Sequence, residues 1–267
     1  MAVLAEAGIK LRSAKRMLLV QAKDFPVEVL FLRDDDIPQS VANGAADIGI
    51  VGENEYAEKN QPVDIIKRLG FSRCRLSLAI PKTVDYPGVE WFNGKTVATS
   101  YPEIVARYFE EKGITAELHV ITGSVEIAPG IGLADAIFDI VSSGSTLVTN
   151  QLKEVEVVMQ SEALMIARPN LEAEKAEILD EILFRMDAIR AAENKKYILL
   201  NAPNDKLGDI VKLLPGMKSP SIIPSYEEGW SSLHSVISEK NFWEVIGQLK
   251  AMGAEDILVC PIEKMIL

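Results

Sequence analysis

The chain has 267 residues, 48% of them hydrophobic and 25% charged, enough for one large or two to three small domains with a sizeable core. A net charge of −11 with no dense Lys/Arg run excludes nucleic acid and anionic membrane as partners, so any anionic ligand must be held by local groups.

In chain order, residues 1–7 open as a helix stopped by Gly8, and 17–21 and 27–32 read as strands. Residues 36–43 follow as a short helix stopped by Gly44, and 47–51 as a strand, completing a first lobe. A strand at 76–80 leads into a loop with Pro81, Pro87 and Gly88. A strand at 96–99, a helix at 103–112 ended by Gly113, and strands at 116–121 and 136–141 make a second lobe. Strands at 155–159 and 163–167 would carry the chain back to the first lobe, giving the two crossings of bilobal binding-protein folds with the ligand site between the lobes. The alternation of strands and helices predicts α/β architecture with mainly parallel sheets. A connector helix at 172–193 places Ile178, Leu179, Ile182, Leu183, Met186 and Ile189 at helical spacing. Beyond it the order strand (197–201), helix (205–214), strand (221–224), strand (231–237), helix (242–252), strand (257–260) is the βαββαβ pattern of a ferredoxin-like regulatory module. The boundaries that follow are 1–81 with 160–195 for lobe I, 82–159 for lobe II and 196–267 for the C-terminal domain.

Cys74 and Cys260 lie in apolar runs too far apart to suggest a metal cluster or disulfide framework, and read as buried free thiols. His119 and His234 have no Cys or carboxylate at ligand spacing and no nucleophile elbow occurs, so neither a zinc site nor a Ser/His/Asp triad is expected. No signal peptide precedes the first helix and no apolar run approaches the ~20 residues that span a bilayer; a cytoplasmic protein is expected.

The most informative stretch is residues 126–147, EIAPGIGLADAIFDIVSSGSTL. Its apolar strand carries one acid, Asp139, toward the end where α/β proteins bind ligands. The loop Ser142, Ser143, Gly144, Ser145 and Thr146 can then turn N–H groups and hydroxyls toward one anion, with a helix start near Thr146 adding its positive end. Asp139 and Asp135 could hold ribose hydroxyls or a hydrated magnesium ion. A plain Ser/Gly turn before a helix cap remains the competing reading.

Glu126, Gly132, Ala134, Ile137, Asp139, Ile140, Ser143, Gly144, Thr146 and Leu147 stand where the signature of the ATP phosphoribosyltransferase family expects them. The chain therefore resembles that family, in its long form with a C-terminal regulatory domain. The resemblance implies that the loop 142–146 grips the 5′-phosphate of phosphoribosyl pyrophosphate (PRPP). It also implies that Asp139 and Glu126 are the catalytic acids, that Mg2+ assists, and that the chain opens histidine biosynthesis by joining PRPP to N1 of ATP. RDDDIP (33–38) also occurs in the family beside the nucleotide, which nominates Arg33, Asp34 and Asp35 for ATP, although acids there also complement a helix dipole. Glu53, Arg75 and Tyr101 are further ATP-side candidates, each with a plain alternative: a helix cap, a surface ion pair and a packed ring. Feedback inhibition by histidine is implied, with Asn201, Ser221 and Val259 near the effector position, as is a homo-oligomer from dimer to hexamer. The family opens earlier, with a strand and a loop bearing a Lys and a Gly-Arg pair; a polypeptide beginning at Met1 is expected to show low activity and reduced stability. A non-catalytic bilobal small-molecule-binding or amino-acid-sensing protein is the alternative.

Overall fold

The computed structural model describes residues 2–12, 17–214, 216 and 219–267. After α1 (Ala2–Glu6) come β1 (Leu19–Gln21), β2 (Glu28–Leu30), α2 (Ile37–Ala42), β3 (Ile48–Gly52), α3 (Glu53–Lys59), β4 (Asp64–Arg68) and β5 (Cys74–Pro81). Next are β6 (Thr96–Thr99), α4 (Pro102–Lys112), β7 (Glu117–Val120), β8 (Ala136–Val141), α5 (Ser145–Thr149), β9 (Leu152–Ser161) and β10 (Ala163–Ala167). The chain ends with α6 (Ala173–Ala192), β11 (Lys195–Pro203), α7 (Leu207–Leu213), β12 (Ser221–Pro224), β13 (Trp230–Ser238), α8 (Glu239–Ala251) and β14 (Glu255–Pro261). Two compact units result, one made of residues 16–19 and 29–175, the other of 1–15, 20–28 and 176–267.

The first unit is bilobal, built on two sheets. One has the order β3-β10-β4, the other β7-β6-β8-β5-β9. β10, ALMIA, is buried at every residue because both of its edges are paired and both faces covered. Its Leu164 and Ile166 join Val41, Val51 and Val63 in one core. Leu76, Leu78, Ile80, Phe92, Phe109 and Phe138 form the core of the other lobe, where Phe92 meets Trp91 edge-on at 5.2 Å. The chain passes between the sheets twice, from β4 to β5 and from β9 to β10, as the sequence predicts. These passages pair with each other: Leu69 N–H donates to Ala163 O at 2.8 Å and Ala163 N–H to Phe71 O at 3.0 Å.

The expectation of mainly parallel sheets is corrected. Only β6 runs parallel to its neighbours β7 and β8 among the described strands. β5 is antiparallel to β8 and β9, and β10 to β3 and β4. Parallel neighbours need a helical crossover, which α4 supplies between β6 and β7, whereas the returning strands reverse direction. Composition hid α3 and β4: ENEYAEK has no apolar stripe, and DIIKR is short and largely exposed.

In the second unit the sheet order is β12-β13-β11-β14, all antiparallel, which with α7 and α8 gives the expected ferredoxin-like βαββαβ module. Ile198, Leu200, Ala202, Ile210, Leu233 and Leu249 form its core. Alternation along β11 and β13 buries every second residue, so one face packs on the helices and the other stays open. Burial of both thiols is also corrected: Cys74 is half-buried, and Cys260, opposite Tyr197 on β14, is exposed. No described helix is long and apolar enough to cross a membrane.

Candidate active site

β8 leads straight into the candidate anion loop. Ala136, Ile137 and Phe138 are fully or almost fully buried, Asp139 is half-buried, and Ser142 follows directly on the strand's last residue. Gly144 has φ +79, a left-handed conformation that admits glycine without strain, and α5 begins at the next residue. Ser143 Oγ lies 3.0 Å from Ser145 Oγ, and the hydroxyl-bearing residues 142, 143, 145 and 146 are all exposed. The sequence thus folds locally into a surface turn of hydroxyls and N–H groups.

Beside it, Asp139 accepts a hydrogen bond from Ile140 N–H at 2.8 Å. Burial raises its carboxyl above the usual range, the Ile140 bond opposes that rise, and the charge of Glu126 adds to it. Glu126 stands in a 3-10 turn, Val125–Ile127, and is half-buried. Asp135 is spent on structure: it takes Thr96 N–H at 3.0 Å and lies 3.6 Å from Lys95 Nζ, tying the entry of β8 to β6.

On the other lobe, Asp34 and Asp35 form a 3-10 turn, with Arg33 Nε 3.3 Å from Asp35 Oδ1. All three reach solvent. Glu53 is turned instead to Arg68, whose two terminal nitrogens donate to both of its carboxylate oxygens. Arg75 is likewise committed to Glu154. Tyr101 is a core residue, 8% exposed, so its ring packs rather than standing free to stack on a base. Its hydroxyl accepts from Asn54 Nδ2 at 3.2 Å.

That bond belongs to a buried polar seam between α3 and α4, unread in the sequence. Ser161 Oγ donates to Asn54 Oδ1 at 2.9 Å, and Asn54 Nδ2 also donates to Glu55. Burial raises the Glu55 carboxyl; its bond to Tyr101 opposes this, and the charges of Asp35 and Asp34 add to the rise. Burial also raises the Tyr101 hydroxyl, with Glu55 and, more weakly, Asp139 adding. Glu58 does more: α4 has no side-chain cap of its own, and Glu58 accepts Glu103 N–H at 2.9 Å and Ile104 N–H at 3.0 Å. Substituting Glu58→Ala strips two N–H groups of their partner at a site only 8% exposed. The expected loss is about 2 kcal/mol, a fall of roughly 4–8 °C in thermal midpoint, read by calorimetry; an unchanged midpoint would show that α4 does not depend on this cap.

A family model described as ATP phosphoribosyltransferase matches residues 33–188. The chain belongs to the ATP phosphoribosyltransferase family. A second model, the C-terminal domain of the same family, matches residues 192–264. A protein of Parabacteroides distasonis named ATP phosphoribosyltransferase is 70% identical over 267 residues, covering 100% of this chain and 94% of that protein. One of Bacteroides fragilis with the same name is 68% identical with the same coverage. Among solved structures, the ATP phosphoribosyl transferase (HisG:HisZ) complex from Thermotoga maritima aligns at 28% identity and a TM-score of 0.62, covering 70% of this chain and 89% of that one. Membership makes the chain an enzyme of the pentosyltransferase class.

For an ATP phosphoribosyltransferase of the long form the C-terminal sheet is the effector candidate, and it splits the three residues nominated there. Asn201, whose amide donates to Asp256 at 3.1 Å, lies on the open face. Ser221 pairs with His234, which pairs with Leu199, and so shares that face. Val259 pairs with Ile198 and packs in the helix-covered core, on the opposite face. On the open face Tyr197 Oη is hydrogen-bonded to His234 Nδ1, with Ser232 Oγ 3.3 Å from His234 Nε2. A cavity of 380 Å³ in this unit, lined in part by Phe184, Arg190 and Met265, touches none of the nominated residues.

Proposed function

We propose that this chain joins the phosphoribosyl group of PRPP to N1 of ATP, releasing pyrophosphate, as the first step of histidine biosynthesis. The observation that carries the reading is the exposed loop 142–146, with left-handed Gly144 at its centre, set at the end of the strand that carries the half-buried acid Asp139. In this reading the loop's N–H groups and hydroxyls take the 5′-phosphate. Asp139 holds ribose hydroxyls, and with Glu126 it faces the positive charge that grows at C1′. The N1 lone pair forms the bond to C1′ as the C1′–O bond breaks and its electrons leave on pyrophosphate. No protein base is needed, so positioning supplies most of the acceleration.

Asp34 and Asp35, with Arg33, are assigned to the nucleotide side, while Glu53, Arg75 and Tyr101 support the walls from protein-bound positions. Among the described residues no group of three or more His, Cys, Asp or Glu could hold a metal ion. In this reading Mg2+ arrives on the substrate's pyrophosphate, where it would neutralise the leaving group. The remaining parts of the proposal are residues 1–81 with 160–195 and 82–159 as the catalytic lobes, 196–267 as a histidine-responsive domain in a homo-oligomer, and a cytoplasmic location.

The test is pyrophosphate release measured with ATP, PRPP and Mg2+ together and with each omitted. Release that requires all three is the expected result. Binding of PRPP and ATP without release would overturn the enzyme reading in favour of a bilobal binding protein.

A further inference from the structure

Ser77 is fully buried in the middle of β5, within the apolar run LSLAI, where a hydroxyl without a partner would be costly. Its partner is Glu154 on β9: Ser77 Oγ donates to Glu154 Oε1 at 2.6 Å. The same carboxylate holds Arg75 as a fork, Nε to Oε1 at 2.5 Å and Nη2 to Oε2 at 2.7 Å. The remaining arm, Nη1, donates at 3.2 Å to the carbonyl of Ser142, the first residue of the loop. β5 lies between β8 and β9, so one network crosses three adjacent strands and ends on the loop that leaves β8. Irregularities in the β5–β9 register, between Leu76 and Ser77 and between Leu78 and Ala79, flank Ser77 and re-aim the side chains of that stretch. Arg75 and Glu154 keep only 29% and 25% of their side chains exposed. The Arg75 bond lowers the Glu154 carboxyl below the usual range, burial opposes this, and Ser77 reinforces it.

We infer that Glu154 and Ser77 are positioning residues for the phosphate loop: they lock the Arg75 fork so that its third arm pins Ser142 and fixes the direction of the loop's N–H groups. The inference rests on the proposed phosphate role of that loop. Arg75 then contributes to PRPP binding through the backbone of Ser142, and the nucleotide does not feel it.

The experiment is steady-state kinetics with both substrates on the full chain, together with PRPP binding by calorimetry. Glu154→Gln keeps the size of the side chain but loses its charge and presents an amide donor to the Arg75 fork. The expected result is a rise of roughly tenfold in KM and Kd for PRPP, with KM for ATP and kcat at saturating PRPP within about twofold of wild type. Arg75→Lys, which keeps the charge but cannot reach Glu154 and Ser142 together, should do the same, and Ser77→Ala should raise KM for PRPP by about two- to threefold. If Glu154→Gln does not fold, Arg75→Lys decides by the same readouts. Unchanged PRPP affinity in a folded variant, or an equal loss for both substrates, overturns the inference while leaving the transferase reading intact. A wild-type chain that does not bind PRPP overturns both.

Discussion

Gly144→Trp should lower kcat/KM for PRPP by at least about 100-fold while the chain still folds and still binds ATP. Two separable effects combine. The backbone at position 144 has φ +79, where any side chain costs roughly 1–2 kcal/mol. A single added carbon meets only Val141 Cγ1, at 3.9 Å, so Gly144→Ala suffers the strain with little crowding. Tryptophan adds a ring over a loop whose hydroxyls at 142, 143, 145 and 146 are exposed, and displacement of a bound group by even 1 Å costs on the order of 100-fold. Alanine should therefore cause a modest loss, together with a thermal midpoint lowered by a few degrees, and tryptophan the full loss. Pyrophosphate release and calorimetric unfolding on both variants distinguish the two effects. Full turnover by Gly144→Trp would remove the loop from the site.

Asp139→Asn should move activity and stability in opposite directions. Transfer is expected to fall by about 100-fold, because a charged acceptor for the ribose hydroxyls becomes a neutral one. Stability at pH 7 should rise. Burial lifts the folded-state pKa of Asp139 above its ordinary value of about 3.9, so the folded form prefers the neutral carboxyl. The preference stabilises the wild type fully only below the unfolded pKa and is lost as pH rises through the higher folded value. Asparagine stays neutral throughout and retains an acceptor for Ile140 N–H. The difference in thermal midpoint between variant and wild type should accordingly be near zero at pH 3 and grow toward pH 7. A variant less stable at pH 7 would mean that the carboxylate is held by attractive contacts instead of being strained by burial.

How far the sequence could be read depended on whether a segment announces itself locally. β6, β8, β10 and β12 were legible to the residue because short apolar or β-branched runs bounded by polar, Pro or Ser residues have few other uses. The loop after Asp139 was legible for the same reason, its small residues being confined to one turn. Strand direction was not, since it depends on which distant segments become neighbours: β5 pairs with β8 and β9, 58 to 87 positions away. The polar interior escaped for a related reason. Locally Ser77 is only one hydroxyl in an apolar run, and the meaning of Glu154 emerges when β9 brings it against β5. Asn54, Glu55 and Glu58 carry no apolar spacing that would mark them as interior, yet all three are buried. Glu53, Arg75 and Tyr101, each open to a ligand role and to a plain one, have partners within the chain that local sequence does not reveal.

The two passages between the sheets have a mechanical consequence. A bilobal protein joined by one slack linker can bend, twist and slide. Here Leu69 and Phe71 on one passage are hydrogen-bonded to Ala163 on the other, and Glu53 N–H is bonded to Glu162 O beside them. Two strips fastened side by side resist sliding along their length and rotation about it, and yield most readily to flexing across their width. Relative movement of the lobes is thereby reduced toward a single degree of freedom, the opening and shutting of a door on its strap.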